Sequence, residues 1–122
     1  MVKKWEIYFI SLDPTKGSEQ KGVRPVLVIS NDAVNSHLPI FTCIPFSSIK
    51  EGEKIYPTEI YFSKEESGLS KDSVLMLHQI RTVSLSRVTN KKIGEIKDDV
   101  LKERINEGIK SYFELDNYYF SN

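Results

Sequence analysis

Apolar and polar positions alternate in short stretches along most of this chain and change to a helical period only near its end. Trp5-Glu-Ile-Tyr-Phe-Ile-Ser-Leu12 is rich in aromatic and β-branched residues and is stopped by Asp13-Pro14, which predicts a strand running into a turn. A second strand is predicted over Pro25 to Ser30. A polar stretch from Asn31 through His37 then leads into Ile40-Phe-Thr-Cys-Ile-Pro-Phe46, a third strand in which Pro45 predicts an edge position or a bulge, because proline has no N–H for a ladder. Residues 49–57 are charged and read as a mobile connection, after which Thr58-Glu-Ile-Tyr-Phe62 resumes a period of two. Lys64 to Lys71, with Gly68, reads as a loop. Asp72 to Ser84 is long and β-prone and is expected to bend into two short strands around Leu77 or His78. Ile93 and Ile96 flank a closing strand.

From Asp98 the period changes. Leu101, Ile105, Gly108, Ile109 and Tyr112 fall on one helical face, with charged residues between them and Asp98 as N-cap. Several short strands followed by one helix predict a mainly β fold, a small and strongly curved sheet or barrel that the helix covers. The expected layout is a single domain over residues 1–122, with the barrel at about 1–96, the helix at about 98–113 and a tail from 114 to 122 that has no clear pattern.

Composition narrows the chemistry. A chain of 122 residues builds one modest core and leaves little room for a deep pocket, so shallow sites, or sites shared with a second copy, are expected. No apolar run approaches the roughly 20 residues of a membrane-spanning helix and no signal-peptide pattern opens the chain, so a cytoplasmic protein is expected. The lone Cys43 lies in an apolar run and reads as a buried, inert thiol; no Cys/His cluster has metal-ligand spacing. The formal net charge of zero is unevenly spread, with a surplus of three positive charges over residues 1–92 and of three negative charges over 93–122. A polyanion can therefore meet the body of the chain, although so small an asymmetry does not by itself identify nucleic acid.

The chemistry-bearing feature is the run Gly17-Ser-Glu-Gln-Lys-Gly-Val-Arg24-Pro25, which sets polar and charged groups on a loop directly before a buried strand. Rigid scaffolds commonly present functional groups this way. Gly17 and Gly22 allow positive backbone angles, and Arg24 stands where loop meets strand.

That run, from Leu12 to Asp32, resembles the signature of the MazF/PemK family of toxin endoribonucleases. Pro45-Phe-Ser-Ser48 resembles the family's Pro-x-Thr/Ser-Ser turn, Asp72 to Val83 its second long block, and Ile93-Gly-Glu-Ile96 with the helix its ending. The resemblance runs to about Leu115. It implies a barrel related to SH3 folds and to CcdB, a homodimer with single-stranded RNA along the subunit interface, cleavage without metal or cofactor, and inhibition by a cognate antitoxin with an acidic tail. It further implies attack of the ribose 2′-hydroxyl on the adjacent phosphate, leaving a 2′,3′-cyclic phosphate and a 5′-hydroxyl.

Carried over by position, Arg24 matches the family's catalytic arginine and Ser47 its catalytic threonine. Glu19 and Gln20 match the polar pair of the first loop, Ser48 falls within the Pro-x-Thr/Ser-Ser turn, and Gln79 and Arg81 match the second block. In the Kid/PemK branch an Arg and an Asp shortly before the Gln-x-Arg-Thr element carry the chemistry; here Met76 and His78 stand in their place, which favours the arrangement around Arg24.

RNA that is cut through its own 2′-hydroxyl supplies its own nucleophile, so a small chain needs only to move protons and neutralise charge. A guanidinium stays protonated and offers paired donors to phosphate, which assigns Arg24 to charge stabilisation, with the Ser47 hydroxyl adding a contact. Glu19 and His78 are the acid–base candidates. The alternative for Glu19 is a solvated loop carboxylate or a contact to a base edge, and for His78 a histidine that satisfies a backbone carbonyl inside an apolar strand. Gln20, Ser48, Gln79 and Arg81 are expected to hold RNA, Gln79 by reading base edges and Arg81 by phosphate or stacking contact; the structural alternative for Arg81 is a salt bridge within the sheet or across a dimer interface. Trp5, Tyr8 and Phe9 read as core and interface residues, and His37 has no assigned role. Two other functions fit such a barrel: a CcdB-like toxin that binds a protein target such as gyrase, and a catalytically silent binding module.

Overall fold

The structure is a computed structural model that describes residues 1–115. The tail from residue 116, with its three aromatic positions, lies outside them. The strands are β1 (Glu6–Ser11), β2 (Val23–Val28), β3 (Ile40–Ser48), β4 (Glu59–Phe62), β5 (Ser73–Met76), β6 (Arg81–Ser84) and β7 (Gly94–Glu95). Three α-helices accompany them: α1 (Asp32–His37), α2 (Lys64–Ser67) and α3 (Asp99–Tyr112). All pairings are antiparallel, in the order β4-β5-β3-β2-β1-β7, with β6 also on β3. The result is the expected mainly β fold, a curled half-barrel sheet carrying a C-terminal helix.

Alternation along the central strands explains how so short a chain fills two cores. Ile7, Leu27, Ile44 and Phe46 face one side, where they pack with Phe62, Leu75, Ile96 and the α3 residues Leu101 and Ile105. Their neighbours Tyr8, Val26, Val28, Phe41 and Cys43 face the other, with Val2, Ile10, Leu12 and Val83. Asp98 caps α3 through Oδ1, accepting from the N–H of Val100 at 2.7 Å and of Leu101 at 3.4 Å. Tyr112, expected on the buried face, is exposed.

Three expectations about elements are corrected. Pro45 is neither on an edge nor at a bulge: β3 runs through the middle of the sheet and pairs with three strands. On the side away from β2 its partner changes, with β6 taking residues 40–43 and β5 taking 46–48, so Pro45 falls in the gap between two ladders. The polar stretch after Asn31 forms α1, because the Asn31 side chain accepts from the Val34 N–H at 2.9 Å. The second loop opens with α2, held by a reciprocal capping box between Ser63 and Glu66 and closed by Gly68 at φ +76°. The bend in residues 72–84 falls where expected, as a single 3₁₀ turn over Leu77–Gln79.

Candidate active site

The first loop, residues 12–22, leaves β1 and returns as β2, and its shape is set by groups from distant parts of the chain. Its neck is closed by Leu12 N–H donating to the Gly22 carbonyl at 3.0 Å. Gly17 and Gly22 both take positive φ, +54° and +84°, as the sequence predicts. Arg81 Nη1 donates to the Leu12 carbonyl at 3.2 Å, and Arg87 Nη1 donates to the carbonyls of Ser11 and Asp13. Deeper in the loop, Gln79 Oε1 accepts from the Gln20 N–H at 2.9 Å while Gln79 Nε2 donates to the Ser18 carbonyl at 3.2 Å.

Arg24 is the second residue of β2. Continuing the β2–β3 register two residues past Val26 and Pro45 sets Arg24 opposite Ser47, and cross-strand partners share a face. Arg24 Nη1 donates to Ser47 Oγ at 3.3 Å, and Arg24 Nε donates to the Lys21 carbonyl at 3.0 Å. Gln20 completes this setting. A guanidinium carries donors only, so the Gln20 amide oxygen faces it and accepts from Nη1 at 3.1 Å and Nη2 at 2.6 Å, and from Nε as well. Guanidinium and hydroxyl therefore converge, half-buried, at the exit of β3.

Known proteins are similar to this chain both in sequence and in fold. The model of PemK-like, MazF-like toxins of type II toxin–antitoxin systems fits residues 3–113. The chain belongs to that family. It is 37% identical over 110 residues to Endoribonuclease EndoA of Bacillus subtilis (strain 168), covering 90% of this chain and 92% of the relative. Its fold is similar to MazF from Deinococcus radiodurans, with a TM-score of 0.74 at 24% identity over 93% of this chain and 96% of that one. It is also similar to a mycobacterial endoribonuclease solved in complex with its cognate antitoxin, with a TM-score of 0.70 at 18% identity over 94% and 97% of the two chains.

The other residues singled out in the toxin's sequence lie around this pair and elsewhere on the sheet. Glu19 is exposed and turned back on its own loop, accepting from the Lys16 N–H while its own N–H donates to the Lys16 carbonyl. His78 does not lie inside a strand satisfying a carbonyl; it sits exposed on the 3₁₀ turn with Nδ1 2.8 Å from Thr58 Oγ1. Arg81 makes no salt bridge within the described residues, its recorded contact being the loop-neck carbonyl. His37 ends α1, where Nδ1 lies 2.7 Å from the Ala33 carbonyl. Sequence reasoning overlooked Arg87, which follows a strand with no motif around it, and Thr58, the partner of His78.

A cleft of about 350 Å³ opens on the opposite face of the sheet, lined by Phe9, Val23, Phe46, Leu69 and Ile93 with Arg24 and Ser48 at its rim. Phe9, expected in core or interface, is 40% exposed there, alongside Val23 at 70% and Ile93 at 38%, whereas Tyr8 is buried. Among the described residues, no group of three His, Cys, Asp or Glu side chains has the geometry to hold a metal ion. No described helix is long and apolar enough to cross a membrane.

Proposed function

We propose that this toxin is a sequence-specific endoribonuclease that cleaves single-stranded RNA by attack of the ribose 2′-hydroxyl on the neighbouring phosphate: the 2′-oxygen loses its proton as it bonds to phosphorus, the bond to the 5′-oxygen breaks, and that oxygen takes up a proton, leaving a 2′,3′-cyclic phosphate and a 5′-hydroxyl. The observation that carries the reading is the meeting of the Arg24 guanidinium and the Ser47 hydroxyl at 3.3 Å on adjacent strands. Two fixed donors at one point are what a developing phosphorane dianion needs, and such preorganised donors contribute about 3–4 kcal/mol each to the transition state. Arg24 neutralises the charge and Ser47 binds a non-bridging oxygen. The entering phosphate competes with the Gln20 amide oxygen for the same guanidinium edge, so Gln20 holds the fork in place until substrate arrives. Ser48, at the rim of the cleft, meets the flanking backbone.

The toxin works in the cytoplasm as a homodimer and is inhibited by a cognate antitoxin protein. The exposed apolar lining of Phe9, Val23 and Ile93 supports pairing with a second copy, since such an apolar patch is what an interface covers. Incubation of purified protein with end-labelled RNA in EDTA tests the activity. Fragments with cyclic-phosphate ends, lost in Arg24→Ala and retained in Lys110→Ala, are the expected result. Intact RNA overturns it; gyrase poisoning would then favour a CcdB-like toxin, and neither activity a silent binding module.

A further inference from the structure

The first loop carries Gln20 and leads directly into Arg24, yet nothing within residues 14–20 packs it onto a core. What meets it there from outside the loop and β2 is one side chain on the turn between β5 and β6. Both ends of the Gln79 amide are engaged with loop backbone, the oxygen with the Gln20 N–H at 2.9 Å and the nitrogen with the Ser18 carbonyl at 3.2 Å. Gln79 is itself fixed at its base, since the 3₁₀ turn that bears it is closed by the Ile80 N–H donating to the Leu77 carbonyl at 3.2 Å, and Leu77 is buried in the larger core. A line of contacts thus runs from core to turn, turn to loop, and loop to guanidinium: Leu77, Gln79, Gln20, Arg24, Ser47.

We infer that Gln79 is a positioning residue, whose amide pins the first loop at Ser18 and Gln20 so that Gln20 holds the Arg24 guanidinium toward Ser47. The assignment replaces the base-reading role that its residue type invites and, for its catalytic consequence, rests on the ribonuclease reading above. A side chain that bridges two backbone groups two residues apart restrains the loop more than either bond does alone, because loosening the loop requires both to break.

Two measurements test it, one of them independent of RNA. Trypsin added to the native, RNA-free protein cuts after Lys16 or Lys21 only when the loop opens. Loss of both bonds in Gln79→Ala is expected to speed that cleavage about tenfold, the effect of one to two ordinary net hydrogen bonds. Gln79→Glu keeps an acceptor for the Gln20 N–H and loses the donor to Ser18, and is expected between wild type and Gln79→Ala; it also carries the comparison should Gln79→Ala fail to fold. In single-turnover RNA cleavage the same variants lose a similar factor in rate at saturating RNA, with KM and the preferred cut sites unchanged. Unchanged trypsin cleavage overturns the inference. So does a raised KM with altered cut sites at undiminished maximal rate, which marks Gln79 as a direct reader of bases. Should the unaltered protein leave RNA whole, the ribonuclease reading fails while the trypsin comparison still decides the role of Gln79 in the loop.

Discussion

Arg24 and Ser47 were singled out through the family motifs they match, and the register of β2 on β3 explains why they meet. Arginine offers a planar fork and lysine a single ammonium, so Arg24→Lys keeps the charge and loses the paired geometry. Single-turnover cleavage is expected to fall about 100-fold in that variant, and about tenfold more in Arg24→Ala. Ser47→Thr keeps the hydroxyl and is expected to retain activity, whereas Ser47→Ala loses it substantially without loss of fold. The roles of Glu19, His78, Gln79 and Arg81 were not readable in the same way. Each is decided by a partner brought in by chain geometry: Lys16 backbone, Thr58 hydroxyl, loop backbone and the Leu12 carbonyl. Residue type reveals what a side chain can donate or accept, not which atom will be within 3 Å. Cys43 could be read, because burial is the whole of its story. Desolvation pushes its thiol up to about 12, against a smaller opposing pull from Arg81 and Arg87. Iodoacetamide at pH 8 is therefore expected to leave Cys43 unlabelled in the native protein and to label it fully in guanidinium chloride, as mass spectrometry would report.

Among the helices, the long periodic one was visible in the sequence and the two short ones were not. The 14-residue α3 repeats its apolar pattern over several turns and has a capping aspartate. The helices α1 and α2, of six and four residues, are too short to show a period, and only their caps could have betrayed them. Ser63-x-x-Glu66 followed by Gly68 is such a cap signature. Pro45 misled because the usual rule concerns one ladder, and here two ladders leave a gap. On α3, Gly108 packs closely against β4 and the 3₁₀ turn: a Cβ there would lie 2.7 Å from Ile60 Cδ1 and 3.1 Å from Leu77 Cδ1. Gly108→Val is expected to destabilise the protein by about 1–3 kcal/mol through overpacking, seen as a lower urea midpoint with an unchanged m-value.

For the molecule as a whole, stability is bounded at both ends of the pH scale. Asp32 is held below its ordinary value chiefly by the Lys4 backbone N–H, Glu66 by the Ser63 backbone N–H and then Arg104, and Glu95 by Lys92. A carboxylate with a depressed folded pKa stabilises the fold above its ordinary pKa, and that contribution fades as pH falls through the folded value. Thermal midpoints are accordingly expected to decline below about pH 4. At the alkaline end, burial, aided by its hydrogen bond to Glu6, pushes Tyr8 from 10.0 up to about 12. The protonated phenol is the form the fold prefers, so this contribution is complete below pH 10.0 and disappears as pH rises toward 12. Tyr8→Phe is expected to lessen the alkaline decline in the same melts, with the remainder carried by groups such as the buried Cys43 thiol, whose raised pKa acts in the same direction.

The carbonyl contacts that shape the first loop also impose an order in time. Arg24 and Ser47 are translated early, but the side chains that grip residues 11–20 from across the sheet are Gln79, Arg81 and Arg87. A nascent chain stalled on the ribosome before those residues emerge carries both chemical groups with the intervening loop still unmoored. The chain must have left the exit tunnel as far as Arg87 before the groups encoded in the first half are set for work.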